Sequence, residues 1–299
     1  MKFGLGTPAL ILYPPVVSPW EATATGADIL RVARKADELG YDWMVVPEHI
    51  FIPNEMLEIM GPRYPEAMNA LTSQMLAALD ATFDDFNRDP DLWVAILTGA
   101  GDKAFCAGMD LKEAIPLVTS GETLGYDDPT KRQFSDVFKP IIAAVNGYCI
   151  AGGLEMLEGT DLRIAAEHAT FGLGEVRWGI IPTGGSHVRL PRQVPWAVAM
   201  ELLLTGRTID AQRAYEIGLV NRVVPADQLM PSALELAETI CKNGPLAVRT
   251  AKEIAVRALG LEPGFVLERT LGARVMASED AQEGPRAFAE KRPPKFTGR

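Results

Sequence analysis

The pattern of apolar positions at the start of the chain predicts a short βαβ-like unit. A strand over residues 2–5 precedes a helix over residues 27–39, where apolar residues follow helical spacing until Gly40 ends the helix. Residues 43–46 form a continuous apolar run that Pro47 ends, as is typical of a buried parallel strand. Because three such elements cannot bury their apolar faces alone, this segment must pack on the remainder of the chain.

Strands and helices then alternate through the middle of the chain. A helix is predicted from near Asn69 up to the helix-breaking sequence at residues 87–90, because apolar residues from Leu71 to Phe83 recur there at helical spacing. Further strands are predicted at residues 93–98, 141–145, 162–165 and 219–224, with helices after Gly152 and over residues 192–204. The C-terminal part is helical, with a helix that Asp210 caps and Gly218 ends, and another that Pro245 begins and Gly260 ends.

Composition narrows the class of protein. The 299 residues are 47% hydrophobic and 23% charged, which is ordinary for a globular protein, and no apolar stretch approaches the length of a membrane span. The net charge of -10 disfavours binding to nucleic acid. Because the three cysteines are odd in number and widely separated, no disulfide framework is expected, and since residues 1–4 show no charged leader followed by an apolar block, no secretion is expected. We therefore expect a soluble, cytoplasmic protein.

Two glycine-containing loops are candidate oxyanion holes. Residues 139–155 read as an apolar strand, a turn, and paired glycines Gly152 and Gly153 that begin a helix. Glycine lets backbone N–H groups approach a ligand, and a helix N-terminus favours negative charge. The loop over residues 105–110 contains Gly108 and offers a second donor. Such donors can polarise a thioester carbonyl.

Glu155 and Glu175 are the candidate acid and base groups. Glu155 lies in the first turn after the paired glycines, and Glu175 lies in a glycine-rich loop over residues 171–185. Adding water to a double bond requires proton transfers that carboxyl groups can perform. The chain has 39 acidic residues, and most glutamates are solvent-exposed, so spacing alone leaves the ordinary surface role open.

Six motifs in order resemble the crotonase, or enoyl-CoA hydratase/isomerase, superfamily over residues 69–299. They are Asn69-Ala-Leu and residues 97–101, 104–111, 139–153, 171–182 and 283–293. The resemblance implies an α/β fold in which ββα units form a spiral core over residues 67–225. It also implies a C-terminal helical region over residues 226–299 that joins subunits into a homotrimer or a dimer of trimers.

The same resemblance implies roles for individual residues. The backbone N–H groups of Met109 and Gly152 would hold the thioester oxygen, while Glu155 and Glu175 would hold the reacting water and exchange protons. Coenzyme A, as part of an acyl-CoA substrate, would contact further residues: Ala107, Gly108, Lys112, and from the C-terminal region Lys291 and Phe296. A surface role for Lys112 is equally open. No cofactor and no metal ion are expected, since no Cys, His and acidic cluster has zinc spacing.

Residues 1–66 depart from this family and form a separate predicted segment. They resemble the start of a luciferase-like, flavin- or deazaflavin-dependent oxidoreductase, in motifs such as residues 36–43, 46–49 and 60–65. That family resembles TIM barrels, of which only the first βαβ portion is present here, so a working flavin site with His49 is not expected. The segment must instead cover an exposed sheet edge, with residues 43–46 or 49–53 as candidates.

These patterns leave four functions open. Having acids at positions 155 and 175 favours an enoyl-CoA hydratase, which adds water reversibly to a 2-enoyl-CoA thioester to give a 3-hydroxyacyl-CoA. Another reaction of the superfamily, such as double-bond isomerisation or thioester hydrolysis, is the first alternative. An inactive CoA-binding chimera is the second, and a flavin or deazaflavin oxidoreductase is the third.

Overall fold

A computed structural model describes residues 4–6, 67–119 and 128–298. The strands are β1 (Gly4–Gly6), β2 (Ala95–Thr98), β3 (Ala104–Cys106), β4 (Ile141–Val145), β5 (Tyr148–Ile150), β6 (Leu162–Ala166), β7 (Thr170–Gly172), β8 (Thr208–Asp210) and β9 (Arg222–Val224). The α-helices are α1 (Ser73–Arg88), α2 (Leu111–Thr119), α3 (Gly152–Glu158), α4 (Ser186–Gln193), α5 (Trp196–Thr205), α6 (Ala211–Glu216), α7 (Leu229–Cys241), α8 (Pro245–Ala258), α9 (Glu262–Met276) and α10 (Glu279–Ala289). Short 3-10 helices span Glu175–Trp178 and Ala226–Gln228.

The strands form two sheets. The first has the order β1-β2-β4-β6-β9 and is parallel throughout. The second has the order β3-β5-β7-β8, in which β7 and β8 pair antiparallel. From β2 to β7 the strands enter the two sheets alternately, so β2-β3-α2 and β4-β5-α3 are ββα units. The predicted α/β spiral core is therefore confirmed.

Alternation along β4 separates two apolar cores. Ile141, Ala143 and Val145 face the larger core, where Met75 and Phe83 of α1 are also buried. Ile142 and Ala144 face the smaller core with α7. Both faces of the first sheet are covered, which explains why its strands read as continuous apolar runs.

The corner between β4 and β5 is built on Asn146 and Gly147. The Asn146 side-chain amide donates to the carbonyl oxygens of Gly99 and Gly101, at 2.9 and 2.7 Å. A Cβ atom at Gly147 would lie only 2.1 Å from the carbonyl oxygen of Lys103. The close approach of these two loops requires glycine there and directs β5 into the second sheet.

One predicted helix differs from the structure, and the second sheet has no counterpart among the predicted strands. The single helix predicted over residues 192–204 is wrong, because the chain forms α4 and α5 with a break between them. Val194 is extended there, at φ -130° and ψ 164°, since the residue before a proline avoids helical conformation and Pro195 follows. The second sheet was also not predicted strand by strand, because β3, β5, β7 and β8 have three residues each.

The strand predicted at residues 2–5 corresponds to β1, which pairs with β2 at the edge of the first sheet. Leu5 is in register with Ile96. This pairing shows that part of the N-terminal segment covers the sheet edge. The two segments predicted for that role, residues 43–46 and 49–53, lie outside the described residues, as do the remaining motifs of the luciferase-like resemblance.

Candidate active site

A cavity of about 620 Å³ lies beside the N-terminus of α3 and brings most of the predicted site residues together. Glu155, Glu175, Met109 and Gly152 line it. Apolar side chains form much of the remaining wall, from Met68 near one end to Phe288 of α10. A largely apolar cavity with a few converging polar groups is typical of a small-molecule site.

The N-terminus of α3 is held in an unusual backbone conformation. Ala151, the residue before the helix, has φ 53° and ψ -124°, which non-glycine residues rarely adopt. Its N–H donates to the carbonyl oxygen of Gly172 at 2.8 Å, which anchors the turn to β7. As the first helical residue, Gly152 has no acceptor for its N–H within the helix. Strain of this kind, of about 1–3 kcal/mol, is concentrated at functional sites.

The backbone N–H of Met109 faces the same space. Leu71 donates to the carbonyl oxygen of Gly108 at 2.7 Å and accepts from the N–H of Asp110 at 2.8 Å. Successive groups of an extended chain point in alternating directions, so the N–H of Met109 points away from Leu71. A Cβ atom at Gly152 would lie 3.7 Å from the Met109 nitrogen, so the two amides are neighbours.

Gly108 allows the loop that contains Met109 to pack closely against the turn at Ala151. Its φ of +92° is strained for any other residue, and a Cβ atom there would lie 2.8 Å from the Cβ of Ala151. The glycine-rich sequence at residues 105–110 therefore allows the two loops that present Met109 and Gly152 to pack together.

The Glu155 carboxyl group is buried and lies close to other acidic groups. Its Oε1 accepts a hydrogen bond from the N–H of Gly184 at 2.5 Å. Burial is the main cause that raises the pKa of Glu155 well above its usual value, and the charges of Glu175, Glu268 and Glu158 raise it further. The bond from Gly184 opposes these effects because it favours the ionised form.

Glu175 begins the 3-10 helix that forms another part of the wall. The residue is half-buried, but its Oε2 atom is fully enclosed and has no hydrogen-bond partner within the described part of the chain. Burial raises the pKa of Glu175 to about 7, although its own backbone N–H and the charge of His187 act in the opposite direction. An enclosed carboxyl oxygen without a partner is suited to binding a water molecule.

A buried ion pair, of which Arg132 lines the same cavity, was not predicted from the sequence. Arg132 donates to Glu268 of α9 at 3.1 Å, and both side chains are at most 2% exposed. His187 contacts the other oxygen of Glu268 at 3.1 Å. Residue spacing gives no signal for this pair, because Arg132 and Glu268 are 136 positions apart.

Of the residues predicted to bind CoA, some line the cavity and others lie outside it. Ala107 and Lys112 line the cavity, and Lys112 is exposed at the start of α2. Lys291 and Phe296 do not line it. Lys291 is exposed just after α10, and Phe296 lies against Gly179, where a Cβ atom would be 3.0 Å from its ring.

No group of three or more His, Cys, Asp or Glu side chains within residues 4–6, 67–119 and 128–298 is arranged to hold a metal ion. Over the same residues, no helix is both long and apolar enough to cross a membrane. All three cysteines of the sequence, Cys106, Cys149 and Cys241, are free and buried.

The chain belongs to the enoyl-CoA hydratase/isomerase family. The family model, described as enoyl-CoA hydratase/isomerase, matches residues 56–299. This match begins before residue 69, the first position of the crotonase-like motifs. The chain is similar to the enoyl-CoA hydratase EchA19 of Mycobacterium tuberculosis, with 46% identity over 79% of this chain and 91% of that protein.

Carnitinyl-CoA enzymes are also among the relatives. The carnitinyl-CoA dehydratase of Proteus mirabilis is 43% identical, over 84% of this chain and 98% of that protein. The solved structure of EchA1_1 from Mycobacterium paratuberculosis superposes with a TM-score of 0.71 at 40% identity, covering 79% of this chain and 92% of that one. A carnitinyl-CoA hydratase from Mycobacterium avium superposes with a TM-score of 0.70 at 39% identity, over 79% and 92% of the two chains.

Proposed function

We propose that this protein is an enoyl-CoA hydratase, which adds water reversibly to the double bond of a 2-enoyl-CoA thioester and forms a 3-hydroxyacyl-CoA. The observation that carries the proposal is the presence of two enclosed carboxyl groups, Glu155 and Glu175, in one cavity with the amides of Met109 and Gly152. The relatives named as enoyl-CoA hydratase and carnitinyl-CoA dehydratase support the same reaction type.

The backbone amides stabilise the negative charge that develops during hydration. The thioester oxygen accepts hydrogen bonds from the N–H groups of Met109 and Gly152, which polarises the conjugated double bond. Attack at C3 moves an electron pair toward that oxygen and produces an enolate. Preorganised donors of this kind typically contribute on the order of 10² to 10³ in rate each.

The two carboxyl groups transfer the protons. With one of Glu155 and Glu175 ionised and the other protonated, the ionised group accepts a proton from water as the water oxygen bonds to C3. The protonated group then gives its proton to C2, so that one water molecule is added in total. Their raised pKa values support this sharing of one proton near neutral pH.

Coenzyme A would enter along Ala107 and Lys112, with the Lys112 ammonium group near the phosphates. Lys291 and Phe296 are proposed to make further contacts with CoA from the C-terminal region. Lys291 lies in the turn after α10, and Phe296 lies against Gly179. The required chemistry is completed by protein groups and water, so the proposal includes neither a metal ion nor a separate cofactor.

We also propose that the protein is cytoplasmic and assembles as a homotrimer or a dimer of trimers through its C-terminal helices. Helix α8 buries none of its residues within the described part of the chain, and its Leu246 and Ile254 are 66% and 65% exposed. Leu267 of α9 is 57% exposed. Exposed apolar side chains on adjacent helices support burial against another subunit.

Product analysis in ¹⁸O-labelled water tests the proposed reaction. With crotonyl-CoA, hydration places one ¹⁸O atom on C3 of an intact 3-hydroxybutyryl-CoA. Thioester hydrolysis would instead release free CoA and label the carboxylate, and isomerisation would add no ¹⁸O. Mass spectrometry separates these outcomes, and either of the latter two would contradict the proposed function.

Carnitinyl-CoA is the second candidate substrate, because relatives named for it are 43% and 39% identical to this chain. The same carboxyl pair would catalyse its dehydration by the reverse sequence of steps. Comparing kcat/KM for carnitinyl-CoA and 3-hydroxybutyryl-CoA in the dehydration direction decides between them. A higher value for 3-hydroxybutyryl-CoA is expected for an apolar cavity, and a higher value for carnitinyl-CoA would favour the second candidate.

A further inference from the structure

We propose that Arg132 is a positioning residue for Glu155, held in place by Glu268 and acting through the peptide group between Thr183 and Gly184. The inference deepens the proposed hydratase function and rests on it for the reaction that is affected. It assigns a catalytic contribution to a buried ion pair that lies outside the carboxyl pair and the oxyanion-hole loops.

The connection passes through one planar peptide group. Arg132 donates from Nε to the carbonyl oxygen of Thr183 at 2.9 Å, and the N–H of Gly184 donates to Glu155 Oε1 at 2.5 Å. That carbonyl and that N–H are the two ends of the same peptide unit, which is rigid. Fixing the oxygen end therefore fixes the direction of the N–H, and hydrogen bonds in a chain polarise one another.

Glycine at position 184 is required for this contact. A Cβ atom there would lie 2.8 Å from both Cδ and Oε2 of Glu155. The carboxyl group thus lies directly against the backbone of Gly184, and any rotation of the peptide plane displaces the bond that orients Glu155.

Arg132 is itself held on several sides. Glu268 Oε2 accepts from its Nε at 3.2 Å and its Nη2 at 3.1 Å. The carbonyl oxygen of Phe265 accepts from Nη2 at 3.0 Å, and that of Lys131 accepts from Nη1 at 2.6 Å. Desolvating two charges makes a buried ion pair a poor source of stability, which favours a role in holding geometry.

Glu268 also contributes to the charge environment of Glu155. The carboxyl groups of Glu158 on α3, Glu175 on the 3-10 helix and Glu268 on α9 face that of Glu155. Arg132 donates to Glu268, and the His187 ring also contacts it. Replacing Glu268 by glutamine removes one of the negative charges, so the pKa of Glu155 falls and the pH optimum of hydration moves to lower pH.

The test compares Glu268→Gln and Arg132→Lys with the parent chain and with Lys252→Met. Lys252 is a matched control because it forms a partly buried ion pair with Asp161 at 2.7 Å and does not line the catalytic cavity. Steady-state kinetics with crotonyl-CoA are measured from pH 5 to 9. A second readout, hydrogen exchange of the peptide that contains Gly184, does not depend on turnover.

The expected result is a fall in kcat of roughly 10- to 100-fold in both variants, since a displacement of about 1 Å can cost about 10² in rate. KM stays within about threefold, because the lost contact acts on the transition state. Exchange at Gly184 becomes faster in both variants, the optimum of Glu268→Gln moves to lower pH, and Lys252→Met matches the parent in each measurement.

Parent-like kcat and parent-like exchange in both variants would overturn the positioning role while leaving the hydratase function intact. Failure of both variants to fold would also overturn it, because the ion pair would then serve the fold alone. A parent chain without hydratase activity contradicts the proposed function separately, and faster exchange at Gly184 in the variants would then support positioning of Glu155 for a different reaction.

Discussion

Glu155 accepts a hydrogen bond at 2.5 Å from the backbone N–H of Gly184, a residue 29 positions further along the chain. The bond joins the first turn of α3 to the loop that precedes α4. It supplies one interaction that favours the ionised carboxylate in a site where burial and neighbouring acids favour the protonated form. The Gly184 N–H and the surroundings of Glu155 therefore shift its pKa in opposite directions.

The activity should depend on pH as a bell-shaped curve. Hydration needs one ionised and one protonated carboxyl group, and burial raises the pKa of Glu175 to about 7. We therefore expect kcat/KM to fall on the alkaline side with an apparent pKa near or above 7, as the second proton is lost. Initial rates with crotonyl-CoA from pH 5 to 9 measure this, and a flat profile over that range would count against the shared proton.

Gly152→Ala should strongly reduce activity and leave the fold intact. The added Cβ would lie 3.4 Å from Leu71 Cδ1 and 3.7 Å from the Met109 nitrogen, which are ordinary contact distances. The methyl group would nevertheless project beside the two amide donors and displace the thioester oxygen. We expect kcat/KM to fall on the order of 10² to 10³, as for loss of one oxyanion-hole donor, with an unchanged melting temperature.

Gly244→Ala is the matched control for that variant. Its Cβ would meet only the Cβ of Ala247, at 4.0 Å, and the residue precedes α8 away from the cavity. It should retain parent activity and stability. Full activity of Gly152→Ala would show that the space beside Met109 does not hold the reacting carbonyl.

Glu158→Gln should stabilise the protein increasingly as the pH rises. Burial raises the pKa of Glu158 to about 8, although its Oε1 accepts a hydrogen bond from Ser186. Between the unfolded pKa near 4.5 and the folded value, the unfolded chain has lost this proton while the folded chain keeps it. The parent therefore loses stability through that window, whereas glutamine does not titrate.

Thermal unfolding at pH 5 and pH 8 measures this effect. The free-energy difference between Glu158→Gln and the parent should be larger at pH 8, by roughly 1 kcal/mol or more, since one pKa unit corresponds to about 1.4 kcal/mol. Equal differences at the two pH values would mean that Glu158 has no raised pKa in the folded state.

Strand β1 should stabilise the first sheet and reduce association between chains at its edge. Deleting residues 1–6 removes β1 and exposes the backbone edge of β2, with which it pairs in parallel. Unpaired sheet edges promote association with other chains. We expect a lower urea midpoint and increased light scattering on concentration. An unchanged midpoint and a clear solution would indicate that the β1–β2 pairing contributes nothing to stability.

The apolar patterns predicted the first sheet well. Residues 141–145 form a strand over the predicted range, because a buried parallel strand must be apolar on both faces. The start of α8 at Pro245 followed from the preference of proline for the first helical turn. By contrast, the second sheet is made of three-residue strands, which are too short to show a period of two.

The candidate site was predicted in part. Glycines next to a helix start indicated the amide at Gly152, and the family resemblance singled out Glu155 and Glu175, all of which line one cavity. The Arg132–Glu268 pair and the contact from Gly184 had no sequence signal, because they join residues that are far apart in the chain. Contacts of this kind arise from tertiary packing, which local periodicity does not encode.

The most direct test is the loss of enone-thioester absorbance when crotonyl-CoA is mixed with the parent chain, Glu155→Gln, Glu175→Gln and the surface control Glu235→Gln, whose side chain is 67% exposed. We predict turnover by the parent and the control, and a fall in kcat on the order of 10² to 10⁴ in each of the other two, because each removes an acid or base group. Parent-like turnover in folded Glu155→Gln or Glu175→Gln would contradict the carboxyl pair as the source of activity.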